Sequence, residues 1–221
     1  MSKLGKAIAQ LVQKCRPARG LVIGAASGIM LSTASWAQTD WSTLNLPFKE
    51  GTIKRIQGGE CYVKSTFEEV PGKAGQKKFS FAAAGLHRRD CATALPRLTK
   101  YEDYQRYLPF VVKSSYQTSS QTIDLLFKVW ILPFSLRLLF QLPRMQQEGQ
   151  YPFTFKEGFL PDLKGKITAK EVDQRCLILI TANWQGPDPG FSPTLFELFT
   201  QTAGTLGMEK MLRVTGQALD N

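Results

Sequence analysis

Few groups in this chain are able to do chemistry. Histidine occurs once, at His87, and is followed by Arg88 and Arg89. A catalytic triad needs a nucleophile, a base and a group that orients the base. No such partners stand in pattern with His87, and the stretch reads as an exposed turn. The sequence holds no His-Glu-x-x-His, no Cys-x-x-Cys, no Gly-x-Ser-x-Gly and no glycine-rich phosphate loop. Glu157, Asp162 and Glu171 lie beside turns or basic residues without paired spacing, so surface charge is the reading for each. No catalytic residue, metal ligand set or cofactor is called for, and hydrolase and metalloenzyme readings are disfavoured.

Cysteine chemistry is also sparse. Apart from Cys15, the chain has Cys61, Cys91 and Cys176, an odd number that argues against a disulfide framework. One bridge, Cys61 to Cys91, is expected in an oxidising compartment, because Cys176 falls inside a strongly apolar strand. Buried free thiols are the alternative.

That compartment is suggested by the first 37 residues. Lys3, Lys6, Lys14, Arg16 and Arg19 precede an uncharged run from Gly20 to Ala37 that ends Ser35-Trp36-Ala37. A basic region, an apolar region and a small-residue cleavage site make a secretory signal peptide over 1–37, cut after Ala37, and a periplasmic or secreted protein. Two other readings stay open. Gly20, Gly24 and Gly28 have the spacing of packed membrane helices, which fits an uncleaved anchor over 20–37. Leu4, Ile8, Leu11 and Cys15 form an apolar face among basic residues, as in a mitochondrial presequence. The net charge is +10, and the leader holds five of the basic residues and no acid up to residue 39. The remainder has 23 basic and 18 acidic residues. This mildly basic body lacks the Lys/Arg stripe with interleaved aromatics of a nucleic-acid binder, so no nucleic-acid partner is expected.

The body reads as follows. Residues 38–51 look like an irregular linker. Thr52–Gln57 and Glu60–Phe67 flank Gly58-Gly59 and predict a β-hairpin. Phe79, Phe81 and Ala83 alternate in a strand ending near Gly85. Asp90 caps a short helix bent by Pro96, and Thr99 with Glu102 predicts a capping box for a second. That second helix carries Tyr101, Tyr104, Tyr107 and Leu108 on one face. From Phe110 to Trp184 the pattern is of consecutive antiparallel strands. The stretch Ile123–Leu142 is apolar enough to suggest a transmembrane helix, but Lys128, Pro133 and Arg137 and the period-two alternation favour two strands. Ser192 at the N-cap, Pro193 at the first helical position and a Phe191–Phe196 staple open a C-terminal helix. Leu195, Phe199, Thr202 and Leu206, continuing toward Met208 and Met211, line a wide apolar side, which is expected to lie against the sheet.

Two motifs add to this order. Leu98-Thr99-Lys100-Tyr101-Glu102-Asp103-Tyr104-Gln105-Arg106-Tyr107-Leu108-Pro109-Phe110-Val111 resembles the tyrosine-rich helix that runs into Leu-Pro in the START-like (SRPBCC) superfamily, which includes polyketide cyclase/dehydrase and coenzyme Q-binding-like proteins. Gly158-Phe159-Leu160-Pro161-Asp162-Leu163-Lys164-Gly165 is similar to that superfamily's Gly-x-Phe-x-x-Leu-x-Gly turn. The resemblance covers residues 77–216. It implies an α+β helix-grip fold, a curved antiparallel sheet wrapped around the long C-terminal helix, here with an extra N-terminal hairpin in a domain over 52–221. It also implies a cavity for a hydrophobic small molecule such as a lipid or quinone. The candidate lining residues are Phe127, Val129, Leu138, Phe140, Phe153, Phe155, Ile180, Trp184, Phe199 and Met208, for each of which core packing is the competing explanation.

Three functions fit: a carrier or sensor of an apolar ligand, a cyclase/dehydrase-type enzyme, and an interaction module. The third rests on Leu126, Trp130, Leu132 and Leu139, which occupy the sheet face that should be polar in a half-exposed antiparallel sheet. Either extra structure covers that face or it meets a membrane surface or a protein.

Overall fold

A computed structural model describes residues 41–128, 135–190 and 192–217. Eight antiparallel strands form one curved sheet: β1 (Tyr62–Glu69), β2 (Gln76–Leu86), β3 (Val111–Gln117), β4 (Thr122–Phe127), β5 (Leu136–Gln141), β6 (Gly149–Glu157), β7 (Lys164–Val172) and β8 (Arg175–Pro187). Their spatial order is β1-β2-β8-β7-β6-β5-β4-β3. Every connection but one joins neighbours. The exception crosses from β2 to β3 at the opposite edge, carried by α2 (Cys91–Leu98), a 3₁₀ turn (Tyr101–Asp103) and α3 (Tyr104–Tyr107). A 25-residue helix, α4 (Pro193–Gln217), follows β8. Among the described residues no helix is long and apolar enough to cross a membrane.

The strand alternation read from the sequence sets the two faces. On the concave side, Ile123, Leu125 and Phe127 of β4 stand opposite Phe140, Leu138 and Leu136 of β5. Phe153 and Phe155 of β6, Ile167 and Ala169 of β7, and Ile178, Ile180, Ala182 and Trp184 of β8 continue the same side. The helix start matches the expected signal, since the Phe196 N–H donates to the Ser192 carbonyl at 2.9 Å. Phe191 lies outside the described residues.

The N-terminal part differs from expectation. Residues 50–57 form a helix, α1 (Glu50–Gln57), instead of the first arm of a hairpin. The hairpin is made one element later, by β1 and β2. Gly58 caps α1 and Gly59 turns the chain with φ of 90°, so the Gly-Gly pair ends a helix rather than joining two strands. Residues 41–48 are not a free linker. Trp41, Leu44, Leu46 and Phe48 join Ile56 of α1 over the convex side, against Ala84 and Leu86 of β2, Val172 of β7, and Leu177 and Leu179 of β8. The Trp41 indole N–H donates to Asp173 at 3.3 Å, and Arg175 donates to the Gln57 carbonyl at 3.0 Å. This strap covers the second apolar face at β2, β7 and β8. At β4 and β5 that face is mixed, with half-buried Leu126 and Leu139 beside Asp124 and Arg137, which pair at 2.9 Å. Trp130 and Leu132 lie outside the described residues.

Three further expectations are corrected. Thr99 ends α2 rather than capping the next helix; its hydroxyl donates to the Leu95 carbonyl at 2.8 Å, while Glu102 pairs with Arg144 at 2.9 Å. Asp90 does cap α2, accepting the Thr93 N–H at 2.8 Å. The disulfide joins Cys91 to Cys176, not to Cys61. Cys176 stands at the mouth of β8, where its N–H donates to the Arg89 carbonyl at 2.9 Å and its carbonyl accepts the His87 N–H at 2.8 Å. Those two bonds lay the chain leading into α2 alongside β8 and bring the two cysteine Cα atoms to 4.6 Å. Cys61 instead meets Gly85, and burial pushes its thiol pKa up to about 12. Finally, His87 is buried rather than exposed on a turn.

The bridge closes a loop with a sequence separation of 85 residues. Non-reducing peptide mapping is expected to recover Cys91 linked to Cys176 and Cys61 as a free thiol. The double change Cys91→Ser/Cys176→Ser is expected to lower unfolding stability by about 2–5 kcal/mol in chemical denaturation.

Candidate functional site

Helix α4 is apolar on both sides, and this decides how it sits. Its sheet side presents Phe196, Met208, Met211 and Leu212, all buried. Close approach is allowed by glycines. A Cβ added at Gly85 would lie 2.7 Å from Leu212 Cδ1 and 2.9 Å from Cys61 Sγ, and one at Gly204 would lie 3.2 Å from Val63 and 3.3 Å from Phe81. A polar seam fixes the helix to the edge strand β1. Glu197 accepts the Phe67 N–H at 2.6 Å, Thr200 and Ser65 hydroxyls lie 2.8 Å apart, and Gln201 donates to the Ser65 carbonyl at 3.3 Å. These side chains take the backbone groups that an edge strand otherwise leaves open.

The residues expected against the sheet, Leu195, Phe199, Thr202 and Leu206, occupy the other side of α4. Leu195 and Leu206 are 48% and 40% exposed, joined by Leu198 at 42%, and Phe199 is half-buried. Sequence periodicity could not separate the two sides, because the i, i+4, i+7, i+11 row of Leu195 and the row of Phe196, Met208 and Met211 are equally apolar.

With α4 seated toward β1 and β2, the concave face divides. At one end Phe67, Phe79, Trp184 and Phe196 pack ring against ring, with centroids 4.7–6.4 Å apart, and Trp184 donates its indole N–H to the Pro161 carbonyl at 2.8 Å. At the other end Cys91, Ala94, Leu95, Leu98 and Tyr101 are fully packed. Between them, Phe127, Leu138, Phe140, Phe155 and Ile180 face inward yet are only half-buried. Phe140 and Phe155 are 5.4 Å apart, and Phe127 stacks on Phe110 at 6.1 Å.

Of the ten residues selected from sequence, then, Phe127, Leu138, Phe140, Phe153, Phe155, Ile180 and Trp184 share the concave face and Met208 meets it from α4. Phe153, Trp184 and Met208 are buried, while the others are half-buried. Phe199 points away from this group, and Val129 lies outside the described residues. The sequence reading did not select Leu136 and Tyr116, half-buried on the same side; their register opposite Phe127 and Ile123 was the available signal.

Three titratable groups of the interior, Tyr101, Tyr104 and His87, are shifted toward their neutral forms. Burial raises the pKa of Tyr101 and Tyr104, whose hydroxyls donate to the Pro143 and Leu98 carbonyls at 2.9 and 2.8 Å. Burial lowers that of His87. The carboxylate of Asp124, held low by Arg137, lies on the convex side. Among the described residues no group of three or more His, Cys, Asp or Glu could hold a metal ion. The arrangement suits burial of apolar matter more than proton transfer.

No family model and no curated protein matches this sequence. Solved structures match it in fold. The Zhui aromatase/cyclase of a Streptomyces species aligns over 64% of this chain and 96% of its own, with a TM-score of 0.54 and 10% identity. A conserved protein of Geobacillus kaustophilus aligns over 63% and 96%, at 0.52 and 7%. Ara h 8.0201 aligns over 62% and 97%, at 0.50 and 9%. The chain has a helix-grip α+β fold, a curved antiparallel sheet with a long C-terminal helix, which is the fold that its resemblance to the START-like superfamily implied.

Gly85→Val is expected to lift α4 from β2 and cost about 1–3 kcal/mol of stability. Gly51→Ala, on α1 with open space around it, is expected to be neutral or stabilising by about 0.5 kcal/mol. Urea denaturation of both variants checks the pair.

Proposed function

We propose that this protein is exported and binds a hydrophobic small molecule, a lipid, quinone or similar, between the sheet and α4, as a carrier or sensor. The observation that carries the reading is the set of inward-facing but half-buried apolar side chains: Phe127, Leu138, Phe140, Phe155 and Ile180. In a filled core such groups lose nearly all contact with water, so their exposure marks apolar surface that a ligand would cover at about 25 cal/mol per Å². Export rests on the pattern of residues 1–37. A cyclase-like reaction is the alternative, with which the Zhui likeness is compatible.

The solvent side of α4 supports a second element of this reading, contact with a membrane surface through Leu195, Leu198 and Leu206. Such contact would let an apolar ligand pass without crossing water.

Two measurements test these readings. The fluorescent apolar probe 1-anilinonaphthalene-8-sulfonate (ANS) is expected to bind the folded protein, and Phe140→Asp to weaken it at least tenfold, about 1.4 kcal/mol. Val112→Asp, on exposed β3 surface, is expected to leave binding unchanged; equal effects of the two would count against the site. Co-sedimentation with liposomes is expected to fall in the Leu195→Ser/Leu198→Ser/Leu206→Ser variant, with ANS affinity retained.

A further inference from the structure

His87 takes no part in the site described above. Alternation along β2 places it in phase with Ala83 and Gly85 on the concave side, just past the strand end, where it is fully buried. Its Nδ1 accepts the Arg89 N–H at 3.1 Å. A neutral imidazole that accepts through Nδ1 carries its proton on Nε2. That Nε2 is enclosed without a hydrogen-bond partner, alone in this among the buried side-chain nitrogen and oxygen atoms of the described residues. It faces the backbone of Thr215, near the end of α4, whose carbonyl accepts from Arg97 Nη1 of α2 at 3.1 Å.

The charged groups acting on the ring are cations: Arg97 from α2 and Arg89 from its own turn. The nearby acids are engaged elsewhere. Asp90 accepts from the Thr93 N–H and hydroxyl at the start of α2, and Glu171 of β7 accepts the Cys91 N–H at 3.4 Å. Arg175 of β8 is turned to the Gln57 carbonyl. From α4 the facing residue is Thr215, whose hydroxyl donates to the Met211 carbonyl at 2.6 Å.

We infer that His87 is a pH-sensitive latch on the C-terminal end of α4: neutral, it allows β2, α2 and α4 to close around it, and protonated, it drives the last turns of α4 off the sheet. Burial, followed by Arg97 and Arg89, holds its pKa below the ordinary 6.5 in the closed state, whereas a released ring titrates normally. The closed state therefore binds fewer protons than the open one. Its advantage is complete above pH 6.5 and shrinks as pH falls below that value. At pH 5.0 the opening equilibrium gains at most about thirtyfold, the factor set by 1.5 pH units. Release of α4 would uncover the concave face, a consequence that rests on the proposed ligand reading.

Hydrogen exchange of the full chain at pH 7.5 and 5.0, corrected for intrinsic rates, tests the latch. Amides of residues 208–217 are expected to lose protection about tenfold or more at pH 5.0, while β7 and β8 keep theirs. His87→Gln, uncharged at both values, is expected to abolish that difference. Should His87→Gln not fold, Arg97→Gln decides. It removes a cation that acts on the ring, so the pH dependence flattens. Equal wild-type protection at both pH values, or an unaltered pH dependence in either folded variant, overturns the latch. Loss of bound ANS at pH 5.0, read in parallel, bears only on the ligand reading.

Discussion

Helix α4 can come close to the sheet only where glycine removes a side chain from the contact, at Gly85 on β2 and at Gly204 on the helix itself. Both sites draw it toward the β1–β2 edge, where Glu197 and Gln201 hold it by free backbone groups of β1 and Thr200 by the Ser65 hydroxyl. A helix fixed at one edge cannot fill the whole concavity of an eight-stranded sheet. The half-buried aromatics of β4–β6, the outward leucines of α4 and the enclosed His87 near its end all follow from that seating.

The convex side is solved differently. There Trp41, Leu44, Leu46, Phe48 and Ile56 supply a local cover over β2, β7 and β8. At β4 and β5 the Asp124–Arg137 pair, extended at longer range to Lys113 and Glu157, breaks up the apolar surface. Such exposed ion pairs add little stability; their effect is to keep that half of the sheet compatible with water. The Cys91–Cys176 bridge then ties the crossover helices to β8 at the packed end of the concavity.

Strand positions and the faces of most strands were legible because period-two alternation over six or more residues has one physical meaning, a sheet with a wet and a dry side. The start of α4 was legible because Ser192-Pro193 has a local mechanism. Other features depended on tertiary partners. Residues 52–57 are too short for their period to separate helix from strand, and Gly58-Gly59 serves both. Thr99 had the residue types of a capping box, but its hydroxyl found the Leu95 carbonyl first. Cysteine pairing followed the path of the chain around Arg89, which no spacing encodes. The concave placement of the strand residues was legible, because phase on a strand is binary. The side of Phe199 was not, because α4 carries two apolar rows.

Burial drives Tyr101, Tyr104 and His87 toward their neutral forms, and the hydroxyls of the two tyrosines donate to backbone carbonyls. What distinguishes the concave face is a set of inward-facing apolar side chains, Phe127, Leu138, Phe140, Phe155 and Ile180, that stay half-buried, and the proposed ligand is what would cover them. Intermolecular nuclear Overhauser effects between isotope-labelled protein and an unlabelled apolar probe test this most directly. The account predicts contacts from the probe to the ring protons of Phe127, Phe140 and Phe155. Contacts confined to Leu195, Leu198 and Leu206, or none at all, would contradict it.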